Sequence, residues 1–430
     1  MKTIVLVLLI CMLLLFLLKV PVYVSMALTG CAIMMATSGM KWGVLTQYLY
    51  TGSNSFTLIA IPLFLLAAKL MNTGGITKRL FAFCMKVVGW LPGGLGHVNI
   101  LTSVVFAGMS GTAVSDASGL GSIEIRAMNE NGFDNDFSCC VTAASSTLGP
   151  IIPPSIPLVV YATVSGASVG ALFMAGIIPG IIMALFMMAV VTVFAAKRNY
   201  PRSKFPAFRE FFLALKEGIL PLMAPVILLV GIYGGVFTPT ESAAIVVLYS
   251  LFLDIFIYKE LTVTKFIHIL RETVRDAVTI DMIIAGATFF GYVATRAKIP
   301  QMILTAMTGF VTSKVALLLI INLFLLIIGC FMETASAITI VVPLILPLLQ
   351  AYDINLTQFG IIMVLNLMIG LLTPPFGLVL FVISKIGNIS IGRFSKALVP
   401  WLGALLAALL LITFIPQLSL WFPTVLGMSV

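Results

Sequence analysis

The sequence predicts an all-α polytopic membrane protein with inverted structural repeats, containing two re-entrant hairpins and two broken helices. Three observations lead there: the composition, the length of the apolar segments, and a repeat within the chain. Of 430 residues, 61% are hydrophobic and 9% charged, with a mean hydropathy of +1.18. A soluble chain needs about 25% charged residues to cover its surface, so secreted, cytosolic and nucleic-acid-binding classes are excluded together. The six cysteines all lie in apolar stretches without CxxC spacing, and two histidines are too few for a His-rich metal or haem site.

Apolar segments able to cross about 30 Å of hydrocarbon cover 3–18, 20–37, 56–72, 168–195, 218–236, 241–257, 277–295 and 398–416. The first has the outline of a signal peptide, but the apolar pattern resumes after Lys19, so it reads as a spanning helix. Around 97–165 and 314–386 hydrophobicity persists while Gly, Pro, Ser and Thr interrupt it. Non-helical backbone at membrane depth is tolerated only where protein or a watery cavity shelters it.

Those two stretches superimpose without a gap at an offset of 221 residues. Gly108, Ser115, Gly149, Pro153, Pro154, Gly166, Phe173 and Pro179 fall on Gly329, Ser336, Gly370, Pro374, Pro375, Gly387, Phe394 and Pro400. Seven of these eight identities are Gly, Pro or Ser, residues that set backbone geometry. The division that follows is a first repeat over 1–196, with a hairpin at 97–128 and a split helix at 136–165. A basic linker occupies 197–217, and a second repeat covers 218–430, with a hairpin at 314–350 and a split helix at 358–386. Each hairpin turns at a polar break (SGTAVSD, 110–116; FMETASA, 331–337), with arms of about a dozen residues, too short to span. Each split helix breaks at a Pro-Pro pair (GPIIPPS, 149–155; GLLTPPF, 370–376) that frees upstream carbonyls.

Charge sets the expected orientation. The linker carries Lys197, Arg198, Arg202, Lys204, Arg209 and Lys216 and is placed in the cytoplasm. With the second repeat inverted, 18 Lys and Arg lie on the cytoplasmic side and five (Lys2, Lys41, Arg296, Lys298, Lys314) outside, with both termini outside. The first hairpin then enters from the cytoplasm and the second from outside. The charged segment 259–276 reads as an interfacial bracing arm rather than a span.

Inverted repeats with broken helices are the pattern of secondary transporters with a site near the midplane. Freed carbonyls and hydroxyls are hard-oxygen ligands for a small cation, and half-helix N-termini attract an anion. In the first repeat the candidates are Ser110, Thr112 and Ser115 with the carbonyls of Ser146, Gly149 and Pro150. In the second they are Met332, Thr334 and Ser336 with Gly370 and Thr373. Asp116 and Glu333 at the tips are candidates for charge compensation or substrate contact, as is Ser155; the bland reading of the acids and hydroxyls is helix capping. Thr373 is assigned either a cation ligand or a donor to an anionic substrate, at the mouth of a half-helix beginning near Phe376. Glu124, Glu130, Arg126, Asp134 and Asp136 read as solvated or mutually paired at the hairpin base.

The stretches SFTLIAIPLFLLAAKLMNTGGI (55–76), GGLGHVNILTSVVFAGMSGTAVSDASGLGSI (93–123), GPIIPPSIPLVVYA (149–162), GVFTPTESAA (235–244) and GLLTPPFGLVLFVIS (370–384) resemble the large membrane subunit of TRAP (tripartite ATP-independent periplasmic) transporters. That resemblance implies an elevator-type fold of the ion-transporter superfamily and sodium-coupled uptake, with at least two Na+ ions transported. It also implies a periplasmic substrate-binding protein, a separate small membrane subunit, a small organic anion as substrate, and a bacterial inner-membrane location within the lipid bilayer. The first tip departs from the SGSSVAD common in the family, and Glu333 stands where an Asp is common. Two other readings compete: a stand-alone sodium/carboxylate symporter, and a rhomboid-like intramembrane serine protease prompted by Gly108-Met109-Ser110-Gly111. The second needs a base near Ser110, and His97 lies 13 residues upstream, about 20 Å along a helix.

Overall fold

The structure is a computed structural model in which residues 10–428 are described, apart from 13, 16, 17, 19, 40, 41, 73, 310 and 312. Most of the first expected span, 3–18, lies outside the described residues, as do the chain ends and the outside charges Lys2 and Lys41. Every regular element among the described residues is helical. Seven of these helices are long and apolar enough to cross a membrane, eight when a bent pair counts as one span.

The chain opens with α1 (Val22–Ser38), α2 (Trp42–Ser53), a short 3-10 turn (Phe56–Ile59), α3 (Ala60–Met71) and α4 (Gly74–Val88). The first hairpin is α5 (Gly94–Ser110) returning through α6 (Ala113–Gly119) and α7 (Gly121–Glu130). The first split helix is α8 (Asn135–Ser146) and α9 (Ile156–Ser165), followed by α10 (Val169–Arg198). After the linker come α11 (Phe208–Tyr233), α12 (Pro239–Phe252), α13 (Val263–Arg296) and α14 (Ile299–Thr308). The second hairpin is α15 (Lys314–Phe331) with α16 (Thr334–Ala351); the second split helix is α17 (Leu356–Leu371) and α18 (Leu378–Ile386), then α19 (Ile391–Phe414) and α20 (Gln417–Val425). The FTPTES string becomes a capping box at the start of α12: Glu241 N–H donates to Thr238 Oγ1 and Thr238 N–H to the Glu241 carboxylate.

Element positions repeat at the same offset. Asn135 at the start of α8 maps onto Leu356 at the start of α17, and the starts of α9 and α10 fall within one residue of those of α18 and α19. The two units run antiparallel, with α10 as the reference. At its end, Arg198 meets Asp134 beside the start of α8, while Asn135 donates to the Gly387 carbonyl just after α18 and Arg393 in α19 pairs with Asp136. At the other end, Gly170 lies beside Met428, Tyr161 in α9 donates to the Leu356 carbonyl, and Gln358 donates to the carbonyls of Ile412 and Thr413 at the end of α19. At 30 residues α10 is about 45 Å long, so α8 and α17 start on opposite faces of the protein.

Two expectations need correction. The hairpin arms are 17 and 18 residues rather than a dozen, and α15 and α16 are long enough to be taken for spans. Apolar length alone does not mark a re-entrant turn; the meeting of the tips, described below, does. The charged arm 259–276 is not a separate element, because most of it forms the first half of the continuous 34-residue α13. Its counterpart in the first repeat, α2 and α3, bends by 50° at residues 54–55. Lys69 pairs with Glu272 and Asp276 across these two arms.

The base of the first hairpin is tied by an ion pair. Asp134 accepts from Arg198 Nη1 at 2.7 Å and Tyr200 Oη at 2.6 Å, with the Tyr200 ring stacked on Phe133. The Tyr200 hydrogen bond, then Arg198, holds the Asp134 carboxyl below its ordinary range despite some burial. A depressed folded-state value stabilises above the unfolded pKa, about 3.9, and the contribution is lost as pH falls through the folded value. Asp134→Asn is therefore expected to lower the unfolding temperature slightly at neutral pH and not below about pH 3; the half-exposed pair limits the loss to about 1 kcal/mol or less. An equal loss at both pH values contradicts this assignment.

Candidate cation and substrate site between the hairpin tips

The tips are built to stop helices inside the protein. At the first, Gly111 takes a left-handed φ of 63° and Thr112 is extended, so α5 ends and α6 restarts within two residues. A Cβ on Gly111 would lie 2.7 Å from the Pro154 carbonyl, and Ile156 N–H donates to the Gly111 carbonyl, so the tip rests directly on the first split helix. At the second tip Met332 and Glu333 are extended between α15 and α16. There α15 crosses α17 backbone to backbone, with Gly329 against Gly370.

Both tips and both splits line one cavity of about 80 Å³. Its walls are Thr112, Ala113 and Val114; Pro150, Ile156 and Pro157; Glu333, Thr334 and Ala335; Met368, Leu371 and Leu378; and Ile280 from α13. Two hairpins entering from opposite faces that share a cavity can neither have crossed the protein. This meeting identifies them as re-entrant.

Around the first tip, the Ser110 hydroxyl donates to Asp116 Oδ1, while Asp116 Oδ2 is buried with no hydrogen-bond partner among the described residues. Asp116 lies against the Cα of Gly149, where a Cβ would be 2.9 Å from Oδ2. Thr112, not Asp116, caps the returning helix, its hydroxyl accepting from Ser115 N–H at 3.3 Å. Ser115 is half-buried. In the split, the Ser146 carbonyl accepts from Gly149 N–H in a tight turn and the Pro150 carbonyl accepts the Ser155 hydroxyl, which also caps α9. No hydrogen bond reaches the Gly149 carbonyl among the described residues.

At the second tip, Glu333 is itself the helix cap, accepting from Ser336 N–H at 3.1 Å and the Ser336 hydroxyl at 3.4 Å. Thr334 and Ser336 are buried, and Met332 is half-buried. In the second split, the Gly370 carbonyl accepts from Thr373 N–H, and the Thr373 hydroxyl donates to the Ile369 carbonyl at 2.9 Å. The following half-helix begins at Leu378 behind Gly377, two residues later than expected, because 372–377 stay in the turn. Thr373 has thus spent its proton, which closes the donor role toward a carboxylate and leaves its lone pairs for a cation.

The 221 offset pairs Thr112 with Glu333 as equivalent caps, a pairing that matching the two tip acids to each other misses. Glu124 is a second miss. It is not solvated at the hairpin base but buried at 1% exposure, accepting from Asn99 Nδ2 at 2.9 Å. Arg126 and Glu130 are exposed there, as read from the sequence, whereas Asp134 and Asp136 pair outside the group, with Arg198 and Arg393. A serine-protease arrangement is not formed: Ser110 donates to Asp116, and His97 Nε2 meets Thr192 Oγ1 at 3.4 Å, toward the other end of α5.

Comparison with known proteins agrees with this architecture. By structure, the chain is similar to the Alcanivorax borkumensis YdaH transporter, with a TM-score of 0.59 over 87% of each chain at 13% identity, a likeness of fold. By sequence, it is 41% identical over 403 residues to the sialic acid TRAP transporter large permease protein SiaM of Vibrio cholerae, covering 94% of both chains. It is 36% identical to the C4-dicarboxylate TRAP transporter large permease protein DctM of the same organism, covering 95% of this chain and 94% of that one. Residues 9–418 match the family described as the tripartite ATP-independent periplasmic transporter, DctM component. The chain belongs to that family, the large permeases of TRAP transporters.

Proposed function

We propose that the protein is a sodium-coupled secondary transporter taking up an organic carboxylate, with the ions bound at the two tip-and-split junctions. The observation that carries this reading is the single cavity where tips from opposite faces meet two interrupted helices. At the first junction the ligands are Ser110, Thr112 and Ser115 with the Gly149 carbonyl, and Asp116 balances the charge. Ser110 donates its proton to Asp116, which leaves its lone pairs free, as with Thr373. At the second, Met332, Thr334, Ser336, Gly370 and Thr373 provide oxygens and Glu333 the charge. The Ser146, Pro150 and Gly370 carbonyls already accept one bond each, and a carbonyl has a second lone pair.

The substrate carboxylate sits at the N-termini of α9 and α18, near Ser155 and Gly377, where helix N–H groups and dipoles favour an anion. Sialic acid and C4-dicarboxylates, the cargoes in the names of the two relatives, support an organic carboxylate as the substrate. A periplasmic binding protein delivers it, and a separate small membrane subunit braces the scaffold. The first repeat spans 1–196, the cytoplasmic linker 197–217 and the second repeat 218–430, with the first hairpin facing the cytoplasm and both termini outside the inner membrane. Hairpins and split helices move together against α1–α3 and α11–α14 as an elevator.

Sodium replacement in proteoliposomes tests this, using the permease, small subunit and binding protein with a panel of labelled carboxylates. One acid is expected to accumulate under an inward sodium gradient and not when potassium replaces sodium. Accumulation undiminished in potassium contradicts sodium coupling.

Thr373→Val keeps shape and removes one oxygen. It is expected to weaken sodium activation by a factor corresponding to about 1–3 kcal/mol while leaving expression normal. Unchanged sodium activation and substrate affinity would reduce Thr373 to a turn residue bonding its own backbone.

A further inference from the structure

Glu124 lies outside the tip site, and its surroundings are unusual for a carboxylate. It is enclosed by α5, α7 and α8; Oε2 accepts from Asn99 Nδ2, and Oε1 is buried with no hydrogen-bond partner among the described residues. Asn99 also donates to Thr142 Oγ1 at 2.8 Å and accepts from Ser145 Oγ at 2.7 Å, so the one amide that holds the acid is itself fixed by two hydroxyls. No lysine, arginine or histidine pairs with Glu124 among the described residues. The titratable groups on the elements packed around it are Lys78, Arg79, Cys84 and Lys86 on α4, His97 on α5, Asp116 on α6, Asp136, Cys139 and Cys140 on α8 and Lys385 on α18, with Arg126 and Glu130 on its own α7. Of these Cys84 and Asp116 interact with it electrostatically. In the second repeat the equivalents of Asn99, Glu124 and Thr142 are Ile320, Ile345 and Met363, so the fold does not need an acid at this place.

An ionised carboxylate buried without a counter-charge is among the most costly arrangements in a protein, and such a group sheds its charge by binding a proton. A second carboxylate nearby, Asp116, adds repulsion. We propose that Glu124 is a proton-binding site inside the first hairpin, a neutral carboxylic acid in the arrangement seen here, distinct from the cation site at the tip. Its proton tunes the tip. With a cation at the tip Asp116 is the charge that balances it; a neutral Glu124 then adds no charge, whereas an ionised one adds a second negative charge through the same hairpin and strengthens cation binding. This consequence rests on reading the tip as a cation site; the proton site itself does not.

Infrared spectroscopy of the purified protein in nanodiscs, sodium-free, tests the proton site directly. The carboxylic-acid C=O band at neutral pH is expected to lose one component in Glu124→Gln, and the fold to persist, since Gln keeps the shape and the Asn99 contact. A band identical in wild type and folded Glu124→Gln overturns the proposal. Should Glu124→Gln not fold, Asn99→Leu serves: it removes the hydrogen bond onto Glu124 and is expected to shift one component toward a free acid, and an unshifted band likewise overturns the site. Sodium binding by the same nanodiscs, followed from pH 6 to 9, is expected to tighten several-fold more in wild type than in Glu124→Gln. Equal pH dependence, with the infrared component present, overturns the coupling to the tip and leaves the proton site standing.

Discussion

Gly370→Ala is expected to disrupt the folding of the second repeat. The added Cβ would lie 2.4 Å from the Gly329 carbonyl carbon and 2.5 Å from its Cα. Both obstacles are backbone, so no rotamer change relieves them; α15 and α17 must separate at the point where the second tip meets its split. Overpacking of this kind costs about 1–3 kcal/mol or more, and uptake should be lost because Glu333 and Thr334 move with α15. Gly403→Ala is the control: it lies in α19 with open space around it, and helix propensity predicts a gain of up to about 1 kcal/mol. The two variants should move the unfolding temperature in opposite directions. A Gly370→Ala protein as stable as Gly403→Ala would remove the close crossing from the account.

Asp116→Asn is expected to separate stability from function. The variant keeps an oxygen to accept the Ser110 hydroxyl but replaces the unpartnered Oδ2 by a neutral amide. A buried carboxylate without a counter-charge is costly, whether it keeps its charge or takes up a proton, until a cation arrives. The sodium-free protein should therefore be as stable as wild type or more so, while sodium affinity falls at least about tenfold, equivalent to about 1.4 kcal/mol. Transport at limiting sodium should vanish with it. Thermal unfolding across a sodium titration reads both effects. Wild-type sodium affinity in folded Asp116→Asn would assign Asp116 a purely structural role.

How far the residues themselves disclosed this arrangement differs from part to part. Spans and repeats were legible because hydropathy and the placement of Gly and Pro are local properties, and the 221 offset then carried over to element starts that had played no role in finding it. Hairpin arm lengths were not legible: the turn at 331–337 was, but the arms were expected at about a dozen residues and α15 and α16 are each 18. The 50° bend at residues 54–55, absent from the continuous α13, was likewise not legible.

In the site, hydroxyls at the tips were recognisable by type, but hydrogen-bond direction was not. Whether Thr373 donates or accepts depends on the Ile369 carbonyl lying one turn back in a helix that ends there. Glu124 shows the same limit. Its neighbours Arg126 and Glu130 are exposed, and a helix has one buried face whose identity depends on where α5 and α8 come to rest. The equivalence of Thr112 and Glu333 follows from the offset, which pairs position with position and so sets a hydroxyl against a carboxylate.

The central claim is that two tips from opposite faces close on one site that opens alternately to each side. A cysteine introduced at the first tip, Val114→Cys, tests it in a chain whose exposed Cys11 and part-exposed Cys31 and Cys330 have been replaced. In sealed proteoliposomes of known orientation, an impermeant thiol reagent is applied from one side or the other, with and without sodium. The account predicts labelling from both sides, at rates that sodium shifts in opposite directions. Labelling from one side only, at rates indifferent to sodium, would contradict it.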